Sequence, residues 1–146
     1  MKKHFSPIIL FFIISFILQC SQKKNPLINE DISVPGVYAV KIKNYTHTMW
    51  IGTNSDTLAQ IMENLVGTDY KRWIGGKVVP DQEMPHGFYF DPNTIVIAEF
   101  TVEGMQTTIA QIADDPQYFA DHGWSNGLAE HAWYVLGLFL DYKNQK

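Results

Sequence analysis

Between positions 86 and 103 lie four residues whose types could carry chemistry: His86, Asp91, Glu99 and Glu103. Imidazoles and carboxylates move protons near neutral pH or ligate cations, provided the fold brings them within reach of one another. Glu99 and Glu103 fall in an alternating segment, so as strand residues they share a face, about 13 Å apart. The two carboxylates of a glycosidase stand ~5–9.5 Å apart, which this pair alone does not satisfy. Asp91 sits where the segment starts and His86 just before it. Together the four describe a polar cleft at one end of a sheet, suited to a ligand or a cation. The competing reading is plainer: Glu99 and Glu103 form a solvated face, and Asp91 caps its own turn.

Other reaction machinery is missing from the sequence. Outside the first residues the histidines are His47, His86, His122 and His131, and no two have the i, i+4 spacing of a helical zinc site. Only His122 and His131 are placed to meet through folding, so no metal and no cofactor is expected. No Gly-x-Ser-x-Gly elbow occurs, and Gly75-Gly76 is not followed by a helix that could cradle phosphate. Aromatic residues are frequent, among them Trp50, Trp73, Phe88, Tyr89, Phe90, Trp124, Trp133 and Tyr134. In a small domain most of these fill the core. Trp124, in the loop-like Gly123-Trp124-Ser125-Asn126, is the candidate for an exposed contact residue.

The amino terminus has the layout of an export signal. Lys2 and Lys3 precede an almost wholly apolar stretch from Phe5 to Leu18, and polar residues begin at Ser21. That length fits a signal peptide better than a spanning helix, which needs about 20 apolar residues. Ile17-Leu18-Gln19-Cys20 resembles a bacterial lipobox, with Gln19 where a small residue is usual. The resemblance implies cleavage before Cys20 and acylation of its sulfur, by a peptidase with a tolerant pocket. The chain has one cysteine, at the boundary between apolar and polar sequence, so no internal disulfide is available. The expected organisation is a signal over 1–19, a polar tether over 20–34 and one globular domain over 35–146. The expected location is the cell envelope, lipid-anchored on a periplasmic or outer-surface face, with plain secretion as the alternative.

Removing residues 1–19 takes two of the 11 basic residues and none of the 15 acidic ones, leaving nine against 15 and a formal charge of −6. An acidic chain without a basic run argues against nucleic acid as a partner. Val37 to Lys43 alternates and reads as a strand, with Thr48 to Thr53 as its hairpin partner. Asn54 or Ser55 caps a helix whose Leu58, Ile61, Met62 and Leu65 form one apolar face, stopped at Gly67. Trp73 to Val79 and Phe88 to Phe90 read as strands, and Thr94 to Glu103 as the best one. Gln106 to Ala113 reads as helix, with a short turn over Tyr118 to His122. The run from Leu128 to Tyr142 is too continuously apolar for periodicity to decide, and its length favours a helix. The sum is an α+β, two-layer domain with a mainly antiparallel sheet of four to five strands and two to three helices.

Ile74-Gly75-Gly76-Lys77-Val78-Val79, then Gly87-Phe88-Tyr89-Phe90-Asp91-Pro92, then Ile95, Glu99 and Glu103 resemble the amino-terminal domain family named for a slime-mould calmodulin-binding protein, the seventy-four-kilodalton binding protein. The likeness spans roughly Val37 to Trp124. Its motifs are of fold, and they imply an exported α+β domain without assigning an activity. The expected function is a lipid-anchored, non-catalytic binding or interaction module. Two alternatives stay open: an enzyme with a carboxylate and histidine site, and a small protease inhibitor acting through Pro80 to His86.

Overall fold

The apolar run near the carboxyl terminus organises the domain, and it is a strand. The structure is a computed structural model that describes residues 33–101, 103–123 and 131–146, so Cys20, residues 21–32 of the expected tether and Trp124 lie outside the described residues. Ser33 to Lys146 forms one compact unit. In chain order it contains β1 (Tyr38–Asn44), β2 (His47–Thr53), α1 (Asp56–Leu65), β3 (Lys71–Pro80), β4 (Phe88–Phe90), β5 (Val96–Ala98), β6 (Gln106–Thr107), α2 (Ile109–Asp114), α3 (Pro116–Asp121) and β7 (Ala132–Asn144). The helix expected from length at the end of the chain is therefore corrected to strand over Ala132–Asn144. Helix and strand are separated there by burial: Val135 and Phe139 are sealed in the main core, while Ala132 and Tyr134 are sealed in a second cluster on the other face. A strand covered on both faces loses its polar alternation and reads as an unbroken apolar run.

β7 is the spine of the sheet. One of its edges carries β3, paired from Lys71↔Leu138 to Lys77↔Ala132. The other edge is shared: β1 covers Leu138 to Asn144 antiparallel, and β6 lies parallel beside Tyr134 and Val135. β2 extends the sheet beyond β1, and β4 and β5 divide the free edge of β3 between them. The fold is α+β with a mainly antiparallel sheet, as expected, but richer in strands: seven among the described residues. Between Phe139↔Ile42 and Asp141↔Lys41 the register shifts, and Leu140 is the extra residue of a bulge.

The helices and the main core lie on one face. Leu58, Met62 and Leu65 of α1, Ile109 and Ile112 of α2 and Phe119 of α3 pack with Val40, Ile42, Met49, Ile51, Ile74, Val135 and Phe139. α1 starts where Ser55 Oγ accepts the Leu58 amide at 3.3 Å, and Gly67 follows its end with a φ of +76°. α2 has a capping box between Thr108 and Gln111 and is preceded by β6, so the expected helix over Gln106 to Ala113 is corrected to begin at Ile109. Tyr118 to His122, expected as a turn, belongs largely to α3; Trp133 Nε1 donates to the Phe119 and His122 carbonyls at 2.9 and 2.6 Å. Asn44 is not itself the hairpin turn. It is buried in β1, donates to the Leu136 carbonyl at 3.0 Å and accepts the Ile109 amide at 3.1 Å, leaving the turn to Tyr45 and Thr46.

No described helix packs on the opposite face. At one end Trp73, Val96, Met105, Ala132 and Tyr134 form the small second cluster. At the other end the incoming chain crosses the sheet: a Cβ on Gly52 would stand 1.9 Å from the Pro35 carbonyl oxygen, so only glycine lets the two backbones approach. The carboxyl terminus holds this segment in place. Gln145 Nε2 donates to the carbonyls of Val34 and Gly36 at 3.2 and 3.0 Å, and the Gln145 amide donates to the Val37 carbonyl at 2.8 Å. Nearby, Tyr38 donates to Asp56 at 2.5 Å and accepts from Lys146 at 2.7 Å. That hydrogen bond to Tyr38, with Asp56 adding, raises the Lys146 ammonium above its ordinary pKa. Burial first, then the Glu63 charge, raises the Tyr142 phenol above its own.

A unit with its own continuous core should fold alone. Residues 33–146 are expected to melt in one cooperative transition. Phe139→Ala should cost about 3–5 kcal/mol as a core cavity, against under about 1 kcal/mol for Leu140→Ala on the exposed bulge. Urea denaturation of the two variants checks this, and equal costs would contradict the strand assignment.

Candidate functional site

The residues singled out for chemistry occupy separate places. His86 ends the loop after β3, where its Nε2 contacts the Thr48 carbonyl at 2.7 Å; a carbonyl only accepts, so Nε2 carries the proton. Its ring stands edge-on to that of His47, centroids 6.0 Å apart. The loop is braced from within by the Asp81 amide to the Gly87 carbonyl at 2.9 Å and the Gly87 amide to the Met84 carbonyl at 2.9 Å. His86 thus fastens Pro80 to His86 onto β2. Asp91 accepts from the Asn93 amide at 2.9 Å and from the Asn93 side chain at 3.3 Å, capping its own turn.

The two glutamates part company as well. The expected strand over Thr94 to Glu103 is corrected to Val96–Ala98, because its ladder with β3 ends at Trp73↔Ala98. Glu99 follows the last pair, Phe100 turns out to solvent at 85% exposure, and Glu103 lies in an exposed turn. Glu99 and Glu103 are therefore not face-mates on one strand. Glu99 pairs with Arg72 at 3.1 Å, and the Asp91 amide bonds the Lys77 carbonyl at 2.8 Å. Arg72 and Lys77 are five residues apart on β3, so the two carboxylates are on the order of 17 Å apart along the strand.

Glu99 does line a depression, of about 330 Å³, with Ile61, Asn64, Leu65, Arg72, Ile97 and Ala98. It has an apolar floor and one ion pair at its edge. His86, Asp91 and Glu103 take no part in it. An acid–base site needs a second titratable group within hydrogen-bond reach of the same reacting atom, and this depression offers none. Among the described residues no group of three or more His, Cys, Asp or Glu could hold a metal ion. His122 is turned to its own helix, with Nδ1 2.8 Å from the Tyr118 carbonyl and its ring stacked on Tyr118 at 4.3 Å.

A different surface was not evident in the sequence. Alternation puts Lys41 and Lys43 of β1, Trp50 of β2, Leu136 and Leu138 of β7 and Lys71 of β3 on the face away from the helices. In one row across the sheet Leu138 lies between Lys43 and Lys71. In the next, Lys41 lies between Trp50 and Asp141. Lys41 and Lys143 approach the Trp50 ring, with ammonium nitrogens 5.9 and 4.7 Å from its centroid. Lys43, Asn44, Tyr45, Lys71, Leu136 and Leu138 line a second depression of about 260 Å³. The only signal for this face in the sequence is the like parity of Lys41 and Lys43; Lys71 and Lys143 join it through strand register alone.

No protein-family model matches the chain, and no curated protein and no solved structure resembles it at a significant level.

The Arg72–Glu99 pair is exposed, with side-chain accessibilities of 25% and 67%, and should act as a surface ion pair. A double-mutant cycle of Arg72→Ala and Glu99→Ala is expected to give a coupling of about 0.2–1 kcal/mol that shrinks with added salt. A salt-independent coupling above about 2 kcal/mol would show the pair to be desolvated, as in a closed site.

Proposed function

We propose that this chain is a lipid-tethered, non-catalytic binding module of the bacterial cell envelope. The reading is carried by the sheet face bearing Lys41, Lys43, Trp50, Lys71, Leu136, Leu138 and Lys143, over which no described helix packs. Soluble domains normally cover such mixed apolar and cationic ground or use it for contact. Support also comes from the dispersal of His86, Asp91, Glu99 and Glu103, which leaves no described cleft with convergent acid and base. Cys20 supplies the tether. Each buried methylene of an acyl chain contributes about 0.8 kcal/mol, so two or three chains hold a protein at a membrane. The resemblance to the calmodulin-binding protein's amino-terminal domain family fits an exported α+β module and adds no ligand.

Replacing the anchor tests the localisation. Wild-type protein should fractionate with membranes and show, by intact mass, cleavage before Cys20 plus attached acyl groups. Cys20→Ala should abolish both the cleavage and the added mass. Unchanged mass and unchanged membrane retention would remove the lipoprotein assignment.

A further inference from the structure

The two layers differ in charge, although Arg72 and Lys146 stand on the helix side beside Glu99 and Asp56. The three helices contain Asp56, Glu63, Asp114 and Asp121 and no Lys or Arg. Among the described strands, register puts Lys41, Lys43, Lys71 and Lys143 on the opposite face of the sheet, with Asp141 paired beside Lys41. Although the chain has a formal charge of −4, this face collects a local excess of positive charge. Between the lysines the ground is apolar: Leu136 and Leu138 are half-buried, Leu140 is 40% exposed on the bulge, and Tyr45 is 77% exposed at the hairpin tip beside the same depression. Ammonium groups on aliphatic stems around leucines and aromatic rings match the interfacial zone of a bilayer, with charge at the phosphates and apolar groups just beneath.

The path of the chain points the same way. Gly52 and Ala39 are cross-strand partners on this face, and Ala39 is also opposite Lys143. The Pro35 backbone lies against Gly52, and Gln145 fixes Val34 and Gly36 there. The described chain therefore enters the domain at Val34 and Pro35 on the lysine face. Thirteen residues, Ser21 to Ser33, separate Cys20 from Val34. Even fully extended, thirteen residues reach at most about 45 Å. A lipid at Cys20 would hold this face near the bilayer at high effective concentration.

We propose that the outer face of the β2–β1–β7–β3 sheet docks on an anionic membrane surface, its lysines on headgroup phosphates and its leucines and Trp50 at the interface. The orientation rests on the tether proposed above; the affinity of the face for anionic lipid does not.

The soluble segment 33–146, which lacks Cys20, is the reagent, with its fold verified by circular dichroism for every variant. It is mixed with vesicles of phosphatidylcholine alone or of phosphatidylcholine with phosphatidylglycerol, and binding is read by co-sedimentation. The expected result is binding to the anionic vesicles only, weakened by salt. Each lysine near an anionic surface contributes roughly fivefold, so Lys43→Gln with Lys71→Gln should weaken partitioning about 25-fold. Arg72→Gln, on the helix side, should leave it unchanged. Bromine-labelled acyl chains should quench the intrinsic fluorescence, and Trp50→Phe should remove the quenched component. Absence of binding to anionic vesicles, or an unaffected lysine pair variant, overturns the proposal. So does equal binding to a soluble acidic polysaccharide or nucleic acid without bromolipid quenching, which would assign the face to a polyanionic chain instead. Because the segment has no anchor cysteine, these outcomes are independent of the Cys20→Ala result.

Discussion

Everything in this domain depends on how β7 divides its edges. Ala132–Asn144 is long enough to serve β3 on one edge and both β1 and β6 on the other. Remove it, and β1–β2 becomes an isolated hairpin while β3, β4 and β5 become a small separate ribbon. Two-stranded ribbons are marginal in water without a packing partner. The strand that unites them follows all of its partners in sequence, so the sheet cannot close until β7 is available. Its pairings with β1 and β3 are long-range, and such pairings require closing large loops before they return any stabilisation. Gln145 directly follows the same strand and fastens the incoming chain, so core assembly and the seating of Val34 and Pro35 are one event.

What was legible in the sequence was whatever carried a periodic or capping signal. β1 and β2 kept one wet face, so alternation found them. α1 showed its Ser55 cap and an apolar stripe of which Leu58, Met62 and Leu65 reach the core, while Ile61 stays 40% exposed. β7 hid because both of its faces are apolar, one against the main core and one against Met105 and Trp73. The segment after Thr94 misled in the opposite way. Alternation there describes the parity of side chains, and Ile95 and Ile97 do reach the main core. It says nothing about how far a neighbour extends, and the ladder stops at Ala98. Glu103 falls beyond that point, so the pair with Glu99 existed only as a spacing. His86 and Asp91 were located correctly at their loop and turn, and each is used there: one fastens the loop to β2, the other braces Asn93.

The lysine face was illegible for a different reason. Net charge is a sum over the chain and cannot reveal that four lysines are gathered on one face. Lys43 and Lys71 are brought to either side of Leu138 by two separate registers. Neither register follows from local sequence, because each depends on where β7 sits. A one-residue slip of β7 against β1 would turn Leu138 inward and Phe139 outward. The buried Phe139 therefore fixes the cationic row indirectly: by holding its own place under Ile42 it holds Leu138, and the lysines beside it, on the outer side.

Gly52 adds the last step of this coupling. A side chain there would collide with the Pro35 carbonyl and push the incoming segment off the sheet. The glycine leaves a gap that only backbone can fill, and the gap lies on the lysine face because Gly52 alternates with the buried Ile51 and Thr53. Where the chain joins the domain and where the positive charge collects are thus set by one constraint, the alternation of a sheet whose other side is sealed by helices.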